Sequence, residues 1–149
     1  MRVIVQRVSQ SKVDVNQKTV GQIGRGLLVL AGFEEADTTD DLKWMATKIV
    51  NLRIFADEVG VMNRSLLEVG GELLIVSQFT LHALTKKGNR PSYIKAARPE
   101  LAKSLYDSFV AECKNLIDAP VACGVGADMQ VSLINDGPVT IFIDSKNKE

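Results

Sequence analysis

Residues 129–143 read MQVSLINDGPVTIFI. The flanks MQVSLI and IFI are rich in Val, Ile, Leu and Phe and read as β-strand. Between them, residues 135–140 spell NDGPVT. Proline has no N–H for a sheet ladder and belongs at the start of a strand or on an edge. An X-Pro bond is also where a cis peptide carries only a small penalty, about 0.5–1 kcal/mol against trans. Gly137 accepts φ values closed to other residues and lets another group approach the backbone. An ordinary Asp-Gly turn is the simplest account. The sharper one is a sharply bent main chain whose redirected carbonyls face something outside the strand.

Upstream of this stretch the pattern alternates between sheet and helix. RVIVQRV alternates like a strand, with VDV following after a short turn. KTVGQIGRGLLVLAGF gives a strand, a glycine-rich turn and a buried strand from Leu27 to Phe33, so the opening third reads as an antiparallel meander. DTTD supplies capping side chains, and Leu42, Met45, Ala46, Ile49 and Val50 share one helical face, which predicts a helix over 38–51. LRIFAD reads as a strand, and GGELLIVSQFTL as the longest β-type run of the middle section. HALTKKGNRPS reads as a loop. Pro99 suits the first position of a second helix, whose apolar face is Leu101, Ala102, Leu105, Tyr106, Phe109 and Cys113, ending near Asn115. APVACGV and MQVSLINDGPVTIFI supply the final strands. This order lacks regular βαβ alternation. It predicts a single α+β domain over 1–149: a mostly antiparallel sheet or partial β-barrel with two packing helices, and a frayed tail at 145–149.

The chain has 149 residues, enough for one core without staples, and its apolar and charged fractions, 46% and 24%, are those of a globular domain. No stretch has the roughly 20 apolar residues of a membrane helix. Gln6 and Arg7 interrupt the only apolar run near the N-terminus, so no signal peptide is read and the expected compartment is the cytoplasm. With two cysteines, Cys113 and Cys123, and one histidine, His82, no Cys/His metal site is expected. Both cysteines are read as small buried apolar residues. Net charge is zero, yet residues 73–99 hold no Asp or Glu and carry Lys86, Lys87, Arg90, Lys95 and Arg98. A solvated loop is the plain reading; a local phosphate-binding patch is the sharper one.

The usual catalytic sets fail. His82 has no carboxylate nearby in sequence to orient it, and strand alternation puts it on the face of Thr80 but about two positions away, farther than a hydrogen bond reaches, so it reads as a surface residue at a strand end. GQIGRG does not have dinucleotide-fingerprint spacing and reads as a turn. SQFTL differs, because Ser77, Gln78 and Thr80 interrupt the end of an apolar strand. Simple strand exit explains them by composition; polar groups facing a cleft explain them chemically.

Taken together, SQFTL and NDGPVT resemble the D-aminoacyl-tRNA deacylases. QRV, GQIGRGLLVL, LRIF, KKGNRPSY, LYDSF and GADMQVSL fit that family in the same order, covering 1–144. The resemblance implies a homodimeric ester hydrolase, without metal or cofactor, that splits a D-amino acid from the 3′-terminal adenosine of tRNA. It implies a cis Gly137-Pro138 pair entering the partner subunit's site. Ser77, Gln78, Phe79 and Thr80, in a strand running to Leu81, form the other wall. Arg7 holds the Gly-Pro segment, and Met129 and Ala102 line the pocket.

On this reading the Gly-Pro carbonyls attract the substrate ammonium and leave room for a hydrogen but not for a methyl. L-amino acids are excluded, while D-amino acids and glycine pass. The N–H groups of Phe79 and Thr80 are candidate oxyanion donors. Thr80 Oγ as nucleophile and the ribose 2′-OH as helper are further options. Lys86, Lys87 and Arg90 would steer acceptor-end phosphates. The chain departs from the family at Leu84, where Asp is frequent, at Tyr93, where Phe is, and at Val125, a position commonly Phe. Two other classes fit parts of the pattern: a noncatalytic nucleic-acid-binding homodimer, and a serine or threonine esterase acting on small molecules.

Overall fold

The computed structural model describes residues 1–124 and 128–149, except for the side chain of Cys123. Val125 lies outside the described residues. The strands are β1 (Arg2–Val15), β2 (Lys18–Ile23), β3 (Gly26–Gly32), β4 (Phe55–Ala56), β5 (Met62–Arg64), β6 (Glu72–Ser77), β7 (Val121–Gly124) and β8 (Gln130–Asp144). The helices are α1 (Thr39–Asn51), α2 (Leu66–Val69) and α3 (Pro99–Leu116), with a 3₁₀ turn at Phe79–His82. The domain is α+β, with a mixed sheet that curls nearly into a barrel.

β1 is the spine. β8 runs antiparallel along one edge of β1, from the Arg2/Asp144 pair to the Asp14/Gln130 pair. The other edge of β1 holds β3 antiparallel over residues 2–8 and β2 antiparallel over residues 11–15. β6 joins β3 in parallel, and β7 joins β6 in parallel. A parallel pair needs a long crossover rather than a hairpin. The β3–β6 connection carries α1, and the β6–β7 connection carries α3. β2 and β7, at the two ends of this strand order, come back into contact and nearly close the curl.

Both faces of the central strands are covered, which explains the unbroken apolar runs LLVL and LLIV. Leu27, Val29, Leu73 and Ile75 pack toward Leu42, Met45 and Ile49 of α1 and Tyr106, Phe109 and Cys113 of α3. Leu28, Leu74 and Val76 turn the other way and meet Val8, Val13 and Ile23 inside the curl. α1 begins where the Thr38 N–H and hydroxyl both donate to Asp41 Oδ2, at 2.8 and 3.1 Å, and α3 begins at Pro99.

Several local expectations change. RVIVQRV and VDV form one continuous strand, because β8 pairs along the whole of it. LRIFAD keeps only the two residues of β4, and α2 was not anticipated. Its four residues are too few to show helical periodicity; Ser65 and Glu68, which cap it reciprocally, were the available signal. Ser145 is buried, and Lys146 Nζ donates to Ala36 O and Asp41 Oδ2 at 3.0 and 2.8 Å.

Candidate active site

The strand that carries SQFTL stops earlier than its composition suggests. Gln78 N–H donates to Ala31 O at 2.7 Å, the last rung toward β3. Gln78 then takes φ −142° and ψ 83°, and residues 79–82 coil into the 3₁₀ turn. SQFTL is therefore a strand end followed by a helical turn, not a strand to Leu81. Gly32 permits it: a Cβ there would lie 2.7 Å from Gln78 O and 3.1 Å from Leu81 Cβ.

The turn fixes the polar groups differently from alternation. Gln78 Nε2 donates to Thr80 Oγ1 at 2.5 Å, joining two side chains that stand two residues apart. Leu81 N–H returns to Gln78 O at 3.3 Å. The N–H groups of Phe79 and Thr80 open the turn, and among the described residues neither donates to a backbone carbonyl in the loop and turn contacts. Arg2 fastens the far end, with Nη1 donating to Leu81 O and Nε to Asp144 Oδ2, both at 3.0 Å.

His82 is not at the surface. It is 1% exposed, tucked beneath the turn, and among the described residues neither ring nitrogen has a hydrogen-bond partner. Glu34 Oε2 lies 4.0 Å from Nδ1. Burial leads the causes that push the imidazole below its ordinary pKa of 6.5. The residue is buried because the 3₁₀ turn, unlike a strand, rotates position 82 back against β3.

A cleft of about 470 Å³ opens beside the turn, between it and the start of α3. Ser77, Phe79 and Ala102 line it, together with Tyr93, Arg98 and Tyr106. Phe79, 53% exposed, meets the Tyr93 ring edge-on with centroids 5.1 Å apart. The Tyr106 hydroxyl donates to Ile75 O at 2.6 Å, tying α3 to β6 two residues before Ser77. Sequence periodicity placed Tyr106 only on an apolar face. The missed signal is that a buried tyrosine hydroxyl needs a partner.

The NDGPVT segment is neither hairpin nor free loop. Gln6 pairs with Thr140 and Val8 with Asn135, so four residues of β8, 136–139, stand opposite Arg7 alone. The excess is pushed out as a bulge, with Gly137 and Pro138 exposed and their peptide bond cis. Asn135 clamps its base: Val139 N–H donates to Asn135 Oδ1 at 2.7 Å, and Asn135 Nδ2 donates to Val139 O at 3.2 Å and Thr140 Oγ1 at 3.0 Å. Asn135 was not singled out from sequence, although asparagine in a turn-forming stretch is a residue type that bonds its own backbone. Arg7 holds the bulge from the side, with Nε donating to Asp136 O at 2.8 Å and Nη1 to Ile54 O at 2.6 Å. Gly137 has φ +147°, and a Cβ there would lie 2.9 Å from Val139 N.

Arg7 and the Gly137-Pro138 segment are thus brought together, and so are Ser77, Phe79 and Ala102. Within one chain, no hydrogen bond of the described residues joins the Gly-Pro segment to residues 77–80. Met129 packs with the cluster inside the curl, whereas Ala102 packs with the cluster on the helix side. Lys86, Lys87 and Arg90 lie exposed in a loop closed by Leu84 N–H to Ser92 O at 2.8 Å and Ser92 N–H to Leu84 O at 3.0 Å. Among the described residues none of these three cations has a carboxylate partner. No group of three or more His, Cys, Asp or Glu among the described residues is placed to hold a metal, and no described helix is long and apolar enough to cross a membrane.

A family model described as D-Tyr-tRNA(Tyr) deacylase matches residues 4–144. Proteins named D-aminoacyl-tRNA deacylase from Dechloromonas aromatica and Chromobacterium violaceum are 62% and 61% identical to this chain, with all of both chains covered. A solved structure described as a c-Myc DNA unwinding element binding protein superposes with a TM-score of 0.91 at 39% identity, covering 97% of this chain and 98% of that one. A second, described as a probable eukaryotic D-amino acid tRNA deacylase, gives a TM-score of 0.82 at 22% identity, covering 95% and 97%, and shows a shared fold.

Proposed function

The chain belongs to the D-Tyr-tRNA(Tyr) deacylase family, and from that premise we propose that it is a D-aminoacyl-tRNA deacylase working as a homodimer in the cytoplasm. It hydrolyses the ester between a D-amino acid, or a glycine, and the 3′-terminal adenosine of tRNA. Each subunit inserts Gly137-Pro138 into the site formed by Ser77, Gln78, Phe79 and Thr80 of its partner.

The observation that carries this reading is the exposed bulge itself. Arg7 and Asn135 hold it rigidly, yet among the described residues it makes no hydrogen bond to its own chain's residues 77–80. Among the described residues β8 also presents an unpaired strand edge, with Leu133, Ile134 and Phe142 at 36%, 52% and 55% exposure. An exposed edge with apolar side chains favours pairing with another copy. Because the bulge is main chain, it can judge handedness without reading side-chain size. The substrate ammonium meets the Gly-Pro carbonyls, and an L side chain would be driven into them. Ala102 lines the pocket that the two subunits complete, whereas Met129, on the other face of the sheet, does not border the cleft within one chain.

The Phe79 and Thr80 N–H groups, left without backbone partners at the start of the turn, supply the oxyanion site. An aminoacyl ester is already labile, so positioning carries much of the remaining rate. Lys86, Lys87 and Arg90 meet acceptor-end phosphates. The test is deacylation of matched D- and L-aminoacyl-tRNAs with a glycyl control: D and glycyl esters are split and L esters are spared. Equal rates on both enantiomers would refute the proposal. Thr80→Ala should keep most of the activity, since the donors are main chain; loss of all activity would make the hydroxyl the nucleophile instead.

The name of the 39%-identical structure favours a second reading, a nucleic-acid-binding dimer without catalysis. Salt-dependent DNA binding combined with no ester hydrolysis would select it.

A further inference from the structure

α1 turns its outer face away from the core, and that face is chemically one-sided. Beyond Asp41 the helix carries no carboxylate. Past the first turn, where Thr39 and Asp40 are exposed, its exposed side chains are Lys43, Thr47, Lys48 and Asn51, around a partly buried Trp44. With Arg53, just past the helix, these groups border a groove of about 530 Å³ whose lining contains no acidic residue. α3 shows what an ordinary solvated face looks like in the same molecule. There Glu100, Lys103, Asp107, Glu112 and Lys114 mix both signs, and Lys103 pairs with Asp107 at 2.7 Å. Among the described residues, Lys43, Lys48, Arg53 and Lys148 have no carboxylate partner.

The cations are also held in place. Lys48 Nζ and Lys148 Nζ sit 5.7 and 4.4 Å from the centre of the Trp44 ring. A cation–π contact fixes an ammonium without using up its hydrogen-bond donors. The Arg53 guanidinium is oriented by Nε donating to Asn63 O at 2.8 Å. Preordered cations lose less side-chain freedom when an anion arrives. In a chain with 18 basic and 18 acidic residues, this local concentration of positive charge offers electrostatic complementarity to a polyanion.

We propose that the outer face of α1 is a second RNA contact, taking phosphodiester groups of the tRNA body. It rests on the deacylase reading and adds a surface to it. The α1 groove and the cleft beside the 3₁₀ turn share no lining residue, so the two contacts are separable.

The experiment compares wild type with Lys43→Glu/Lys48→Glu on two esters, D-aminoacyl-tRNA and D-aminoacyl-adenosine, across a salt series. On tRNA the variant should lose about tenfold in kcat/KM near 0.1 M salt, through KM, and its log–log salt slope should flatten by about two. The adenosine ester carries no tRNA body and should be split at the wild-type rate. Trp44 is the only tryptophan, so adding uncharged tRNA should also change its emission in the wild type. Unchanged KM and slope on tRNA would overturn the inference, as would an equal loss on the adenosine ester. Should the wild type split neither ester, the deacylase reading fails, and binding of uncharged tRNA decides the α1 contact alone: weaker binding by the variant supports it, and equal binding refutes it.

Discussion

Arg7→Ala should disable the proposed chiral gate more than it harms the fold. The guanidinium donates to Asp136 O at 2.8 Å and to Ile54 O at 2.6 Å, tying the bulge to the segment after α1. Hydrogen bonds from a charged donor contribute about 1.5–3 kcal/mol each, so the pair amounts to roughly 3–6 kcal/mol before relaxation. Water can replace the donor at Asp136, whose side chain is 58% exposed, but less readily at Ile54, which is 7% exposed. A net loss of about 2–3 kcal/mol follows, which for a chain of this size lowers Tm by roughly 4–12 °C. The bulge, held then by Asn135 alone, should swing. Each 1.4 kcal/mol of lost discrimination is about tenfold, so the D-to-L ratio of kcat/KM should fall by about a hundredfold. Arg7→Lys should lie between, since one ammonium cannot bridge two carbonyls as a planar fork does. Thermal unfolding and paired deacylation assays measure both effects. An Arg7→Ala protein with wild-type Tm and an unchanged D-to-L ratio would refute the reasoning.

Gly137→Ala places a methyl 2.9 Å from Val139 N, a group already committed to Asn135, at a φ of +147° that disfavours any side chain. It should cost about 1–3 kcal/mol in denaturant unfolding and abolish D-aminoacyl-tRNA hydrolysis; retained activity would show that the bulge does not touch substrate. His82 gives a pH signature. Its folded pKa lies below 6.5, so its contribution is fully present above pH 6.5 and is lost as pH falls from there through the folded value. His82→Leu should flatten the stability–pH slope in that window by at most about 1.4 kcal/mol per pH unit, and an unchanged slope in chemical denaturation would sink the assignment. Burial pushes the Cys113 thiol up to about 12, so mass mapping after alkylation at pH 8 should find it unmodified in the folded protein and labelled once the chain is unfolded.

The sequence by itself determined the layer composition, both long helices and the two segments of the candidate site. These are local properties: apolar spacing on α1 and α3, capping at Thr38 and Pro99, and a Gly-Pro pair that no ordinary strand interior accepts. It could not say which strands are neighbours, because a period of two reports the face a residue takes and nothing about its partner across the ladder. Tertiary structure alone decided that β3, β6 and β7 run parallel, as the two helices serve as crossovers. It also decided that four residues of β8 stand opposite Arg7, a register set by β1 from residue 2 to residue 14. His82 marks the same boundary. Read as strand, it points to solvent; coiled into a 3₁₀ turn by the close packing of Gly32 against Gln78, it lies buried beneath that turn.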